Sequence, residues 1–163
     1  MKQPQVIQLK IYSSKEIVFQ VNRMKLLSKS IVFTNGCFDI LHPGHIASLS
    51  DAAREGDFLV VGLNADASAR RLKGEGRPVM DQQSRALMLA SLIMVDAVVI
   101  FDEDTPLELI QLIQPDVLVK GGDYSIEQIV GAHEVMAAGG RVVINPLLPG
   151  FSTTGIIGKI QKL

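Results

Sequence analysis

The chain has one cysteine, no tryptophan, two tyrosines and six phenylalanines among its 163 residues. The lone Cys37 excludes an intrachain disulfide and a multi-thiolate metal site, and it fits a reducing compartment. An excess of one charge is missing too: 16 Lys and Arg against 17 Asp and Glu leave a formal net charge of −1. No global field favours nucleic acid or an anionic membrane, so any anionic ligand must be held by a local site. Long apolar runs are absent. The most apolar span, 88–101, carries Asp96 and is too short to cross a membrane. Met1-Lys-Gln-Pro-Gln-Val6 lacks the continuous apolar core of a secretory signal. No internal repeat, low-complexity tract or linker interrupts the sequence. Together these absences predict a cytoplasmic location, with no nucleic-acid and no membrane partner.

What is present is a globular composition, 47% hydrophobic and 20% charged, in a length that suits one domain with a sizeable core. Five apolar runs read as strands: 31–33, 58–63, 97–101, 117–119 and 141–144. Helical patterns lie between and after them, at 46–54, 67–72, 82–94, from Asp104-Thr105-Pro106 to 113, from Ser125 to 138, and from Ser152 to 162. Upstream, Ser13-Ser14 can cap a helix over 15–27, and 6–12 reads as a short strand or lead-in. Alternating strands and helices predict a Rossmann-like, doubly wound α/β fold with a five-stranded parallel sheet. Residues 1–30 form an extension packed on a main domain over 31–163, with an extra N-terminal helix.

Ligands of such sheets sit beyond the carboxyl ends of the strands. The polar and glycine-rich clusters obey that rule: Asn35 to His45, Asn64 to Asp66, Lys120 to Tyr124, and Ser152 to Thr154. In the first cluster, His42-Pro43-Gly44-His45 opens a helix, with Pro43 suited to a first helical position. Unpaired N–H groups and the helix dipole make that end attractive to a phosphate. The bland alternatives are a capping or core histidine pair, or a zinc pair, for which no third soft ligand is near. Arg70-Arg-Leu-Lys-Gly-Glu-Gly-Arg-Pro78 has no apolar period and suits a mobile basic loop. Cys37 reads as packing, and His133 as a surface helix residue.

Thr34-Asn-Gly-Cys-Phe-Asp-Ile-Leu-His-Pro-Gly-His45 resembles the first motif of the cytidylyltransferase-like nucleotidyltransferase superfamily, and Phe151-Ser-Thr-Thr154 resembles its second. Arg71-Leu-Lys-Gly-Glu-Gly-Arg-Pro78 and Val119-Lys-Gly-Gly-Asp-Tyr124 are more particular. They are similar to the adenylyltransferases that make ADP-heptose from heptose 1-phosphate and ATP for bacterial surface polysaccharide. The resemblance covers 31–160 and implies that ATP and a sugar phosphate are the partners, with Mg2+ arriving with ATP and no protein-held metal. It also implies a homodimer, and a heptose kinase acting in the same pathway. The runner-up is a cytidylyltransferase acting on a polyol phosphate such as glycerol 3-phosphate.

Carried onto this chain, the resemblance makes His42, His45 and Lys73 the catalytic donors. Nucleotide binding falls to Thr34, Asn35, Gly36, Phe38, Gly44, Lys120, Gly121, Asp123, Ser152, Thr153 and Thr154. Substrate binding falls to Asp39, Asn64, Asp66, Arg77 and Arg85. For the arginines the alternative is plain solvation. For the Ser152–Thr154 hydroxyls it is simple capping, and both uses can coexist. The superfamily often has Ile before the serine and a basic residue three positions after the last threonine, whereas this chain has Phe151 and Ile157. A dinucleotide-binding redox module is disfavoured because no Gly-x-Gly-x-x-Gly follows the first strand. An inert nucleotide-binding subunit is disfavoured by the intact motif residues. An aminoacyl-tRNA synthetase fragment would need a Lys-Met-Ser-Lys-Ser element, which is missing.

Overall fold

A computed structural model of the chain describes residues 4–163. The reading of the opening residues as free of a secretory signal falls partly on 1–3, which lie outside the described residues. After a 3-10 helix, Pro4–Lys10, the elements run β1 (Ile11–Tyr12), α1 (Ser14–Leu26), β2 (Ile31–Gly36), α2 (Pro43–Ala53), β3 (Phe58–Asn64) and α3 (Asp66–Lys73). They continue with α4 (Gln82–Ala90), β4 (Ala97–Phe101), α5 (Leu107–Ile113), β5 (Val117–Gly121), a 3-10 turn Ile126–Gln128, α6 (Ala132–Ala137), β6 (Arg141–Asn145) and α7 (Thr153–Ile160).

The sheet has six strands in the order β1-β4-β3-β2-β5-β6, and every pairing is parallel. The doubly wound expectation holds, with one correction: among the described residues there are six strands, not five. The extra one, β1, is two residues long and pairs Ile11 with Val98 and Tyr12 with Val99. A strand that short leaves no alternation to read. Lys10 fixes it in place, donating from Nζ to the carbonyls of Val95 at 2.7 Å and Leu92 at 3.3 Å.

Alternate side chains of the strands feed two cores. Ile31, Phe33, Val60 and Val99 pack with Ile17 and Val21 of α1 and with Leu109, Ile110 and Ile113 of α5. On the opposite face, Val32, Leu59, Val61 and Val98 meet Leu49 of α2 and Ala86 and Leu89 of α4. Chain order reverses between β2 and β5, the switch point where such sheets open a crevice. Their pairing is confined to Val32 with Val117 and Phe33 with Leu118, so the ends of both strands diverge. That gap is where the polar clusters meet.

Two predicted helices are shorter than their apolar pattern. The one over 82–94 stops at Ala90, where the Ser91 hydroxyl takes the Met88 carbonyl at 2.7 Å and competes with the backbone ladder. The one over 125–138 is split by Gly131, whose φ of +85° is left-handed and whose added Cβ would lie 2.5 Å from Ile110 Cδ1. α1 matches expectation, with Ser13 and Glu16 forming a capping box. None of the helices among the described residues is long and apolar enough to cross a membrane.

Candidate active site

The site begins where β2 runs out. Residues Cys37 to Leu41 form a tight loop in which Phe38 and Ile40 hold φ values of +45° and +50°. Bulky side chains rarely adopt that left-handed backbone, so the surroundings must impose it. Asp39, between them, supplies the anchor. Its buried carboxylate accepts the Val79 and Met80 N–H groups at 2.9 and 3.1 Å and pairs with Arg77 Nη1 at 3.3 Å. Its carbonyl accepts the Thr153 hydroxyl at 2.7 Å. One residue thereby joins the histidine loop, the loop over 74–80 and the start of α7.

The loop ends at His42, the N-cap of α2, whose Nδ1 accepts the His45 N–H at 3.3 Å. With Nδ1 occupied as an acceptor, the ring proton of neutral His42 belongs on Nε2, which stays free to donate. His45 stacks beneath it with ring centroids 3.8 Å apart and planes inclined by 17°, and the Phe38 ring meets His45 edge-on. Gly44 permits this: an added Cβ would lie 3.0 Å from the His42 ring and 3.3 Å from Phe151 Cβ.

Burial pulls the pKa of His42 down. It does the same to His45, to about 4, helped by repulsion from His42 and opposed by Asp39. Both imidazoles are therefore neutral at pH 7. Because the folded-state value of His45 lies below the ordinary 6.5, the unfolded chain binds more protons between those limits. Folding stability is expected to be free of this penalty above about pH 6.5 and to fall as pH drops towards about 4. Urea midpoints measured against pH should show that slope, and His45→Ala should flatten it. An unchanged slope in the variant would assign the acid sensitivity to other groups.

Around the histidines lies a cleft of about 480 Å³, within the range of small-molecule sites. Fifteen of the sequence-derived residues line it: Thr34, Asn35, Gly36, Phe38, Asp39, His42, Gly44, His45, Lys73, Arg77, Lys120, Gly121, Ser152, Thr153 and Thr154. Lys120 spans the gap between β5 and β2, with Nζ 3.2 Å from Asn35 Oδ1, and burial pulls its amine pKa down. Arg77 Nη2 reaches Thr154 Oγ1 at 3.3 Å, and Ser152 Oγ caps α7 by accepting the Gly155 N–H. Burial pushes the Cys37 thiol up, which makes it a poor nucleophile at neutral pH and fits a packing role.

Four of the assigned residues, Asn64, Asp66, Arg85 and Asp123, do not line this cleft. The Arg85 side chain is 0% exposed and bonded to Asp66 Oδ1 at 2.6 Å. The Asn64 amide is turned inward to Ser68 Oγ at 2.9 Å. Asp123 is exposed beyond the strand end. Within the basic stretch, Arg71 is tied to Asp104 at 2.7 Å and to Asp102, so it braces α3 rather than facing the mouth. Sequence reasoning missed Ser48, Ala69, Leu147 and Leu148, which also line the cleft. For the two leucines a signal existed, since they sit in a loop, 64% and 41% exposed, with no helical or strand pattern to bury them.

Beyond the strand ends of a parallel sheet, a histidine pair at a helix N-terminus faces cationic side chains and a second capped helix, which is an arrangement for handling phosphates. Residues 33–159 match the family model described as Cytidylyltransferase-like, and the chain belongs to that nucleotidyltransferase family. Its curated relatives include the Bifunctional protein HldE of Mesorhizobium japonicum, 61% identical over 132 residues, which are 81% of this chain and 27% of that protein. The protein of the same name from Koribacter versatilis is 53% identical over 154 residues, 94% of this chain and 32% of the relative. The chain thus spans about a quarter to a third of the length of these relatives.

Among solved structures, the lipopolysaccharide core biosynthesis protein of Thermoplasma volcanium superposes with a TM-score of 0.60 at 28% identity, covering 74% of this chain and 97% of that one. The pantoate-beta-alanine ligase of Francisella tularensis also reaches 0.60, at 15% identity, covering 94% of this chain and 78% of that one. This second likeness concerns the fold alone.

Proposed function

We propose that this chain transfers the adenylyl group of ATP to a sugar 1-phosphate, with heptose 1-phosphate as the sugar, giving ADP-heptose and pyrophosphate for a bacterial surface polysaccharide. The observation that carries the reading is the stacked His42 and His45 pair at the start of α2, on one cleft with Lys73, Arg77 and the capped start of α7. A sugar phosphate oxygen attacks the α-phosphorus in line. The new oxygen–phosphorus bond forms as the bond to the bridging oxygen of pyrophosphate breaks. Negative charge then grows on the non-bridging and leaving oxygens, where fixed donors act best.

In this reading the histidine N–H groups meet the α-phosphate, and Lys73 with Arg77 gathers the pyrophosphate charge. Ser152, Thr153 and Thr154 with the start of α7 receive the outer phosphates. Asn35, Lys120 and Gly121 sit at the switch point, where the nucleoside would lie. Magnesium would enter on the triphosphate as part of the substrate. The sugar assignment draws on the motifs around Lys73 and Lys120 and on the relatives' identity across this region. The name Bifunctional and the small fraction of those proteins that is matched leave room for a second activity, and a sugar kinase supplying the sugar phosphate belongs to this proposal. A homodimer and a cytoplasmic location belong to the same proposal.

A pyrophosphate-release screen of ATP and CTP against heptose 1-phosphate and glycerol 3-phosphate tests it. Release only with ATP and the heptose phosphate is expected. Strict dependence on CTP would replace the adenylyl assignment, and silence with every pair would remove transfer altogether.

A further inference from the structure

Four of the five N–H donors of the Arg85 guanidinium are bonded to acceptors within the chain. Nε donates to the Met80 carbonyl at 2.9 Å, and Nη1 donates to the carbonyls of Cys37 at 2.6 Å and Asn64 at 2.9 Å. Nη2 donates to Asp66 Oδ1 at 2.6 Å. The acceptors come from three stretches of the chain, the loop after β2, the turn from β3 into α3 and the loop before α4. Cys37 opens the loop that ends at His42, and Asn64 is the last residue of β3. Asp66 is the first residue of α3, whose last residue is Lys73, and Met80 closes the loop that carries Arg77.

Filling this volume does not require a charge, since buried ion pairs replaced by apolar side chains of similar size often leave stability unchanged. What does require a guanidinium is the fork, which offers several donors in one rigid plane to acceptors arriving from several directions. A lysine presents its three donors from a single atom and cannot span them. We propose that Arg85 is a positioning residue that sets the separation between the histidine pair and the cations Lys73 and Arg77, and so the geometry available to the α-phosphate and the leaving group. The proposal rests on the adenylyl-transfer reading.

Misplacing reacting groups by about 1 Å costs on the order of 10²-fold in rate. Arg85→Lys is therefore expected to lower kcat by about 10²-fold, with rates corrected for the folded fraction. The KM for ATP should change far less than kcat, because the charge that Lys73 and Arg77 meet on the leaving group grows in the transition state, and Arg85 makes no bond to Lys120 or Asn35. A residue that only stabilised the fold would lower the unfolding midpoint and leave corrected kcat unchanged. That result overturns the proposal, as does a rise in KM for ATP equal to the loss in kcat.

Asp66→Asn removes the charge of one acceptor and keeps the fork. It should show the same kcat-only signature at smaller size, and it decides the matter if Arg85→Lys does not fold. Wild-type kcat in Asp66→Asn would then count against positioning. The wild-type chain separates the two levels. Its failure to release pyrophosphate removes the adenylyl-transfer reading and this proposal together. An active wild type beside an equally active Arg85→Lys removes only the proposal.

Discussion

His45→Ala is expected to lower the turnover of adenylyl transfer by ~10²–10³-fold, the usual loss when one donor to a developing oxyanion is removed. The variant leaves the N-cap of α2 intact, because that cap is the His42 ring. Folding should therefore survive, and near-wild-type ATP binding measured by calorimetry would locate the loss in the chemical step. His42→Asn is the companion: asparagine also caps helices well, so it keeps the cap while moving the donor. Since the rings are stacked 3.8 Å apart and act on one group, the double variant should lose far less than the product of the singles. Independent losses would mean that the two rings serve different groups. A wild-type rate in His45→Ala would reduce the pair to structure.

Asp39→Ala carries the second large effect, and it falls first on stability. The variant strips two backbone N–H groups of their acceptor and leaves Arg77, with its side chain 20% exposed, without its carboxylate. Removing one partner of a mostly buried ion pair costs about 3 kcal/mol or more. Part of that cost is returned as Phe38 and Ile40 relax from left-handed backbones, each worth roughly 1 kcal/mol. A net loss of about 1 kcal/mol or more in urea unfolding is the expected outcome. Turnover should fall as well, because the loop bearing Arg77 loses its tether to the histidine loop. Asp39→Asn keeps one acceptor oxygen and should fall between wild type and Asp39→Ala on both readouts. Unchanged stability in Asp39→Ala would show that the 74–80 loop is held by other contacts.

These effects also explain what could be read from residues alone. The histidine motif was legible because an apolar run, an Asn-Gly stop and a proline at the first helical position mark a strand-to-helix turn. The strands of the main sheet were legible as apolar runs, since a parallel sheet covered on both faces leaves little alternation. β1 was legible only as a short strand or lead-in over 6–12, because Ile11 and Tyr12 become a strand by pairing with Val98 and Val99 far along the chain, while 4–10 form a 3-10 helix. The burial of Arg85 was hard to read for a related reason. An arginine beginning a helix resembles a solvated or phosphate-seeking side chain until its face is considered. Its position was informative: Arg85 lies four residues before Leu89 and beside Ala86, on the stripe of α4 that is buried. Asp39 is the converse case. Its place in the histidine motif marked it for substrate binding, and its link to Val79 and Met80 was hidden because it depends on a contact forty residues away.

The direction of bond making and breaking is tested most directly by isotope. Heptose 1-phosphate carrying 18O in its three non-bridging phosphate oxygens would be turned over with unlabelled ATP, and both products weighed by mass spectrometry. Attack by the sugar phosphate on the α-phosphorus should leave all the label in ADP-heptose and none in pyrophosphate. Label in pyrophosphate, or labelled inorganic phosphate released without ADP-heptose, would contradict adenylyl transfer at the histidine pair.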